Sequence, residues 1–200
     1  MGKFLGQLPS DVFGINLPEY KVGVLSYTKE EMADLDANGI LAEEETSATE
    51  IVTVTEFLNQ PPCPRQITAI VKATDATEVT ADSTIIINGT NIAGDAITET
   101  LTFTANLATA LTTAKAFKTI TSIVFSEQAD GTPAFDIGWN EVFGLPFMFT
   151  EKPFMLEKFD GVVQFTAGTL TIDADEIEKN VYNPNGDLDG LKDLDLMIFF

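Results

Sequence analysis

Apolar and polar residues alternate along the middle of the chain, as they do in strands that bury one face. In RQITAIVKA (residues 65–73), Ile67, Ala69, Val71 and Ala73 fall on one face. Other segments are rich in β-branched residues and end at turn-forming residues, with no amphipathic helix between them. The pattern predicts a mainly β protein, an antiparallel β-sandwich of Ig-like or jelly-roll-like type. The predicted strands span residues 49–58, 65–73, 83–91, 96–104 and 117–125.

Two details of this pattern are less regular. Glu99 has the same parity as Ile97 and Leu101, so an acidic side chain falls on the face that should be buried. We therefore expect its strand to lie at a sheet edge or to contain a bulge. The preceding residues 92–96 (IAGDA) are typical of a short hairpin connection. Residues 105–116 fit a helical turn or a loop, and the pattern does not decide between them.

One short helix is predicted near the N-terminus, in TKEEMADLDA (residues 28–37). Thr28 and Glu31 have the spacing of a capping box. Asn38 and Gly39 then stand where a left-handed C-cap residue is common. The predicted organisation is an extended arm (1–27), a short helix and acidic loop (28–48), the β-sandwich domain (49–178), and an acidic turn with an apolar C-terminal tail (179–200).

Apolar residues are concentrated in two further places. Residues 135–165 hold seven of the 15 Phe, which fits either a sandwich core with covering loops or a contact surface for another subunit. The chain ends in apolar residues, which should be covered by its own sheet or by a neighbour. The candidate interface residues are Phe147, Phe149, Phe154, Leu196, Met197, Ile198, Phe199 and Phe200.

Composition excludes several classes of function. The 31 acidic and 11 basic residues give a net charge of −20, which disfavours nucleic acid as a partner. With no His and a single Cys, the chain lacks Ser-His and Cys-His nucleophile systems, the usual zinc ligands and an internal disulfide. No apolar run approaches the ~20 residues of a membrane span, and the first residues lack the apolar core of a signal peptide. We expect a soluble protein that is not an enzyme and has no membrane partner.

Two acidic segments are candidates for calcium binding. DLDANGILAEEE (34–45) fits the EF-hand template at each fixed position, but a strand-like segment follows where an EF-hand needs a helix. NPNGDLDGLKDLD (183–195) has oxygen-bearing residues at alternate positions, but Leu196 stands where the bidentate Glu belongs. The favoured interpretation is an incidental match and a solvated turn, with no cofactor; calcium is the alternative. The candidate ligands are Asp34, Asp36, Asn38, Glu45, Asn185, Asp187, Asp189 and Asp193.

Three segments carry more specific motifs: INGTNIAGDAITETLTFT, KAFKTITSIVF and DIGWNEVFGLP. They contain Gly89-Thr90-Asn91, Gly94, Thr98-Glu99-Thr100, Lys115-Ala116-Phe117, Thr119-Ile120-Thr121 and Gly144-Leu145-Pro146. These residues resemble a group of tailed-bacteriophage virion structural proteins with a β-sandwich core. LDANGIL (35–41) and residues 60–71 are also similar, although Pro62-Cys63-Pro64-Arg65 stands where the group usually has Asp-Val-Pro-Arg. The resemblance covers roughly residues 30–150 and leaves out the arm and the tail.

The resemblance implies a structural component of a phage particle, of the capsid decoration or cement type. Its implied partners are coat subunits and copies of itself, as a homo-oligomer in the virion after synthesis in the bacterial host cytoplasm. LDANGIL would then be a shared turn, which makes the match of Glu45 to the calcium template incidental.

Two other hypotheses use the same fold. A tail, baseplate or fibre-associated adhesion module would bind carbohydrate, although Trp139, Tyr20, Tyr27 and Tyr182 are few aromatic rings for that purpose. An enzyme with paired carboxylates needs two acidic residues at a set separation, and no pair is distinguished among the 31.

Overall fold

The described part of the chain consists almost entirely of strands. The computed structural model describes residues 22–72, 74–104, 110–128 and 131–199. Its strands are β1 (Val22–Tyr27), β2 (Asp36–Glu45), β3 (Val52–Val54), β4 (Arg65–Val71), β5 (Thr84–Thr90), β6 (Ala96–Thr102), β7 (Leu111–Phe117), β8 (Thr119–Phe125), β9 (Ala134–Gly144), β10 (Phe154–Phe159), β11 (Val162–Val163), β12 (Thr169–Thr171), β13 (Val181–Asn183) and β14 (Leu194–Phe199). Two short 3-10 helices, Ala76–Glu78 and Ile177–Lys179, are the helical segments within those ranges.

The strands form three sheets. The central sheet has the order β12-β13-β9-β4-β7, and β2 also pairs with β9. The β5 sheet has the order β3-β8-β5-β6, and the terminal sheet, with the first and last strands, has the order β1-β14-β10-β11. All of the pairings are antiparallel, so the prediction of a mainly β, antiparallel protein is confirmed.

The first hydrophobic core combines residues of the central sheet and the β5 sheet. Ile67 on β4 is fully buried in the same cluster as Ile87 on β5 and Ile123 on β8. The rings of Phe125 and Phe135 lie 5.7 Å apart and join β8 to β9. Each large side chain buried here contributes roughly 1.5–3 kcal/mol relative to exposure. The alternation of residues 65–73 therefore identified a strand whose buried face belongs to this core.

The second core lies between the terminal sheet and one end of the central sheet. Phe143 at the end of β9 contacts Tyr27 and Tyr182 edge to face, with ring centroids 4.9 Å and 5.8 Å away. Leu196 and Ile198 on β14 are fully buried in the same cluster. The strand β9 therefore contributes to both cores, the first through Phe135 and Ile137 and the second through Phe143.

The predicted strands are present with shifted boundaries. Residues 49–58 yield only the three-residue β3, and the predicted strand at 117–125 is β8, which begins at Thr119. Most of β7 lies in the segment that the pattern left undecided, of which residues 105–109 are outside the described ranges. Glu99 lies on β6 at the edge of the β5 sheet, as expected. Its carboxylate accepts hydrogen bonds from backbone amides of β7, which links the β5 sheet to the central sheet.

The helix predicted over residues 28–37 is not present. The capping-box contacts form between Thr28 and Glu31, and the amide of Met32 donates to the carbonyl of Thr28 at 3.0 Å. The chain makes no further helical turn, because the carbonyls of Glu31 and Ala33 accept hydrogen bonds from the Arg65 guanidinium, each at 2.9 Å. Strand β2 then begins at Asp36, so the predicted acidic loop is largely a strand.

Two of the predicted segment boundaries also change. The last six residues of the arm form β1, which pairs with β14; residues 1–21 lie outside the described ranges. The predicted apolar tail is β14, an inner strand between β1 and β10. The expectation that the tail is covered is met for one of its faces: Leu196 and Ile198 are buried in the second core, whereas Met197 and Phe199 lie on the other face of the sheet.

Arg65 is fully buried and joins three parts of the fold. Its guanidinium donates to the carbonyls of Glu31, Ala33 and Asn140 and to the thiol of Cys63. The Arg65→Lys substitution keeps the charge but loses the planar fork, which leaves buried carbonyls without donors. We expect the free energy of unfolding in urea to fall by about 3–5 kcal/mol. The exposed Lys118→Arg substitution is the control and should change it by less than about 0.5 kcal/mol; an equally small loss for Arg65→Lys would contradict the assignment.

Candidate interaction surface

The outer face of the terminal sheet carries apolar side chains in two adjacent rows. Directly paired residues of an antiparallel sheet project from the same face. One row is formed where Phe199 on β14 pairs with both β1 and β10, and the next row is formed in the same way around Met197. We call this set the outer apolar face; its members are Val22, Val24, Phe154, Leu156, Met197 and Phe199.

These side chains reach solvent, whereas the residues that alternate with them on β10 and β14 are buried. Val24 is 57% exposed and Phe154 is 66% exposed. In contrast, Leu196 and Ile198, which flank Met197 on β14, are fully buried on the opposite face. Successive side chains of β1, β10 and β14 point to opposite faces of the sheet. One apolar face packs into the second core, and the other apolar face lies at the surface.

The outer apolar face continues into a shallow hollow at one end. The rings of Phe154 and Phe199 lie 5.5 Å apart at this end. The hollow beside them has a volume of about 510 Å³, and its lining includes Met148, Lys152 and Pro153. The lining also includes the carboxylate of Glu151, so a partner side chain that enters the hollow would contact apolar groups, one cationic group and one anionic group.

The opposite end of the face is polar. Asp195 pairs with Ser26 on one side and with Lys158 on the other. The hydroxyl of Ser26 donates to the carboxylate of Asp195 at 2.6 Å. Asp160 and Asp193 lie in the loops beyond this row and accept backbone hydrogen bonds, Asp160 from Asp193 and Asp193 from Lys29. The apolar rows are therefore bounded by an acidic rim.

The predicted interface residues separate into three groups. Phe154, Met197 and Phe199 lie on the outer apolar face. Leu196, Ile198 and Phe149 are buried in the second core, so they are not surface residues; Phe147 is half-buried and packs against Phe149 with ring centroids 6.0 Å apart. Phe200 lies outside the described ranges.

Sequence reasoning missed half of the outer apolar face: Val22, Val24 and Leu156. The signal was available in the segments VGVLSY and FMLEKF, which alternate with the same period as DLDLMIFF. Each has apolar residues at both parities, which is unusual for a strand with one solvent face. That feature indicates a second apolar surface.

The first candidate calcium segment does not fold into a loop. Asp36 begins β2 and Glu45 ends it, and their partners on β9, Trp139 and Ala134, are five positions apart, so the two residues are separated by roughly 17 Å. The strand lies against β9, where Gly138 permits close approach because a Cβ there would be 1.7 Å from the Asp36 carbonyl oxygen. Asp36 and Asp34 each accept a nearby backbone amide instead. An EF-hand cage cannot form from this geometry.

The second candidate segment is a hydrogen-bonded turn. The amide of Asn185 donates to Glu157, and the carboxylate of Asp189 accepts the amide of Leu191 and pairs with Lys192. These contacts lower the pKa of Asp189, chiefly through the Leu191 amide and then through Lys192. Within the described residues there is no group of three or more His, Cys, Asp or Glu placed to hold a metal ion.

Glu157 is a fully buried carboxylate that organises the same region. It accepts hydrogen bonds from the hydroxyl of Tyr182 at 2.7 Å and from the amides of Gly168, Asn185 and Gly186. Burial raises the pKa of Tyr182, and the hydrogen bond to Glu157 and the charge of that carboxylate raise it further. The carboxylate therefore fixes the loops around β12 and β13, and its oxygens are occupied by structural donors.

The aromatic rings considered for carbohydrate binding are mostly inside the protein. Trp139 and Tyr182 are buried, and the ring of Tyr27 packs against Phe143. Tyr20 lies outside the described ranges. These three described rings do not form a platform on which a sugar could stack.

Comparisons of the chain with protein-family models, with curated proteins and with solved structures found no match. None of the helices in the described ranges is long and apolar enough to cross a membrane.

The two faces of β14 should respond differently to truncation. Ile198→Ala removes a fully buried side chain from the second core and should lower the free energy of unfolding by about 2–5 kcal/mol. Met197→Ala, one residue away on the outer apolar face, should lower it by less than about 1 kcal/mol. Urea unfolding followed by circular dichroism measures both. Equal losses would show that the outer face is packed against something in the free protein.

The stabilising charge of Asp189 should disappear in acid, because its pKa lies below the ordinary 3.8. A carboxyl whose pKa is lowered by folding stabilises the folded state above its ordinary pKa, and this contribution is lost as the pH falls through the folded value. We therefore expect Asp189→Asn to be less stable than the natural chain at pH 7, and we expect this difference to shrink as the pH falls below the ordinary 3.8.

Asp187→Asn is the matched control, since it removes the same charge from a neighbouring carboxylate to which the described residues make no hydrogen bond. It should not reproduce the pH-dependent difference. Calcium should leave the urea midpoints of the natural chain unchanged, and a midpoint that rises with calcium would revive the metal hypothesis for this turn.

Proposed function

We propose that this protein is a non-enzymatic structural component of a bacteriophage particle, of the capsid decoration or cement type. Its two-sheet body, the central and β5 sheets, is proposed to be a β-sandwich of Ig-like or jelly-roll-like type. The partners are coat subunits and further copies of the chain in a homo-oligomeric arrangement on the virion, after synthesis in the host cytoplasm. The motif resemblance and the geometry of the terminal sheet support this proposal.

The observation that carries the proposal is the outer apolar face. Six apolar side chains cover adjacent positions on three strands, and a hollow beside Phe154 extends the surface. Contiguous apolar surface with a polar rim is characteristic of protein interaction sites. The face spans only about 10 Å across its strands, so one contact would be weak. A lattice that holds many copies compensates for weak single contacts through multivalency.

The charge of the chain limits which partner fits. A net charge of −20 makes close approach of two such bodies unfavourable unless basic groups intervene. A coat surface with an apolar centre and basic groups around it would complement both the outer apolar face and the acidic rim at Asp195 and Asp193. Copies of the chain would then be organised by the coat lattice beneath them.

The use of the buried polar residues supports a structural role. Arg65 donates to carbonyls and a thiol, Glu157 accepts amides and a hydroxyl, and Glu178 accepts Asn91 and pairs with Lys115. Burial opposes the charge of Lys115, but the hydrogen bonds that its ammonium group donates to Glu176 and Glu178 outweigh this effect and raise the pKa of Lys115. These groups hold loops and sheets together, and their hydrogen-bonding capacity is used within the chain.

The test is incorporation into particles. Virions should be purified on a density gradient from the phage that encodes the chain, and the chain should then be quantified by mass spectrometry and located with antibody labels. We expect a stoichiometric component on the capsid. The Val24→Asp/Met197→Asp variant should be incorporated at least about tenfold less, which corresponds to about 1.4 kcal/mol per contact.

Ile51→Asp is the matched control, because Ile51 is 64% exposed and precedes β3 in another sheet. It should be incorporated normally. A chain that stays in the unassembled fraction, or that labels tails and binds a glycan array, would contradict the capsid assignment in favour of the adhesion module.

A further inference from the structure

One buried carboxylate holds an amine and a side-chain amide at the same time. Glu178 lies in the short 3-10 helix before β13 and is only 7% exposed. One of its oxygens accepts a hydrogen bond from the side-chain amide of Asn91 at 3.2 Å, and the other lies 3.3 Å from the Lys115 ammonium nitrogen. The nucleophile and the electrophile of an amide-transfer reaction are therefore held on the two oxygens of one carboxylate.

The Asn91 side chain is held at both of its polar atoms. Asn91 is 3% exposed and directly follows β5. Its Nδ2 donates to Glu178, and its Oδ1 accepts the backbone amide of Asp95 at 3.0 Å. A backbone N–H at this oxygen stabilises the negative charge that develops when an amine attacks the carbonyl carbon. The side-chain amide is thus fixed in place and polarised for nucleophilic attack.

Lys115 reaches the same carboxylate from the central sheet. It lies on β7, and its side chain is 18% exposed. Its ammonium group also lies 2.9 Å from Glu176, which pairs with Lys179 as well. Burial acts to lower the pKa of Lys115, but the hydrogen bonds that it donates to Glu176 and Glu178 outweigh this effect and raise the pKa. The resting amine is therefore protonated, and it becomes a nucleophile only after it has lost a proton.

We propose that Lys115 and Asn91 form an intramolecular isopeptide bond, with Glu178 as the group that transfers the protons. Glu178 accepts a proton from the Lys115 ammonium, and the neutral Nζ attacks the Cγ of Asn91. The Nζ–Cγ bond forms and the Cγ–Nδ2 bond breaks. The two protons that the amine releases pass through Glu178 to the departing nitrogen, which leaves as ammonium. The carboxylate is regenerated, so the reaction needs no oxidant and no further reactant.

The bond connects the two sheets that enclose the first core. Asn91 stands at the end of β5, whereas Lys115 belongs to β7 of the central sheet. Glu99 already joins these sheets through hydrogen bonds from the backbone amides of Ala114 and Lys115. A covalent link restricts the unfolded chain as a disulfide does, in a protein whose single Cys cannot form an internal disulfide. This chemistry holds or fails independently of the virion role.

The experiment maps the linkage in the purified full-length protein. Bond formation releases ammonia, so the intact mass in denaturant should fall about 17 Da below the mass of the sequence. A protease that cleaves after glutamate cuts at Glu99, between the two residues, and yields the peptides 79–99 and 100–127. We expect tandem mass spectrometry to find these peptides joined through Asn91 and Lys115. The joined fraction should grow faster at about pH 9 than at about pH 6, because the amine must lose its proton.

Substitutions separate this reaction from a purely structural ion pair. Lys115→Arg keeps a cation beside Glu178 but cannot form the bond, so the two peptides should separate. Glu178→Gln keeps the shape of the side chain but cannot accept the proton, and it should slow bond formation at least about tenfold. Lys179→Arg is the matched control, because Lys179 also pairs with Glu176, and its peptides should stay joined. Glu176→Gln removes a partner that keeps the amine charged, so it should speed bond formation.

Three results would overturn the proposal. Separate peptides of unmodified mass, after prolonged incubation of the natural chain at about pH 9, would show that the bond does not form. A loss of about 17 Da that persists in Lys115→Arg would come from cyclisation at an Asn-Gly pair such as Asn88-Gly89, which needs no lysine. Joined peptides that form at an unchanged rate in Glu178→Gln would remove Glu178 from the reaction.

Discussion

The relative position of the two cores depends on the hydrogen bonds that the buried Arg65 guanidinium donates. Arg65 begins β4, whose buried residues belong to the first core, and its donors reach the turn before β2 and the backbone of β9. Both of these segments border the second core. Among the residues that the structure describes, no carboxylate pairs with this cation, and carbonyl dipoles and a thiol satisfy its donors instead. The same contacts convert a potential helix into a single turn and leave β2 free to pair with β9.

The terminal sheet has apolar residues on both faces, and this property links the fold to the proposed function. One face completes the second core through Leu196 and Ile198, so removing the sheet would lower the stability of the folded protein. The other face carries Val24, Met197 and Phe199 and has no structural task among the described residues. An acidic body with a neutral apolar surface has a defined way to associate, since charge excludes most other contacts.

Local patterns predicted the strands that have one buried face, and they failed where tertiary contacts decide. Strands β4 and β5 alternate cleanly because each faces a single core. Strand β9 was missed since Phe135 and Phe143 serve different cores and most of its residues are at least half-buried, which erases the alternation. The helix at 28–37 had correct capping signals, and only the distant Arg65 prevents it from continuing. Half of the candidate site was predicted from the sequence: Phe154, Met197 and Phe199 were candidate interface residues, whereas Val22, Val24 and Leu156 on the partner strands of β14 were missed.

The pairing of β1 with β14 also sets an order of events during folding. The hydrogen bond between Ser26 and Asp195 joins residues 169 positions apart, one of the longest separations the chain permits. Closing so long a loop is slow, and it is rewarded only after the intervening strands have condensed. Strand β1 must therefore wait, with its apolar residues unpaired, until β14 has been synthesised. Newly made copies therefore pass through a stage in which the apolar residues on both faces of the future terminal sheet are exposed to solvent. At that stage they bind most readily to a chaperone or to a nearby assembly surface.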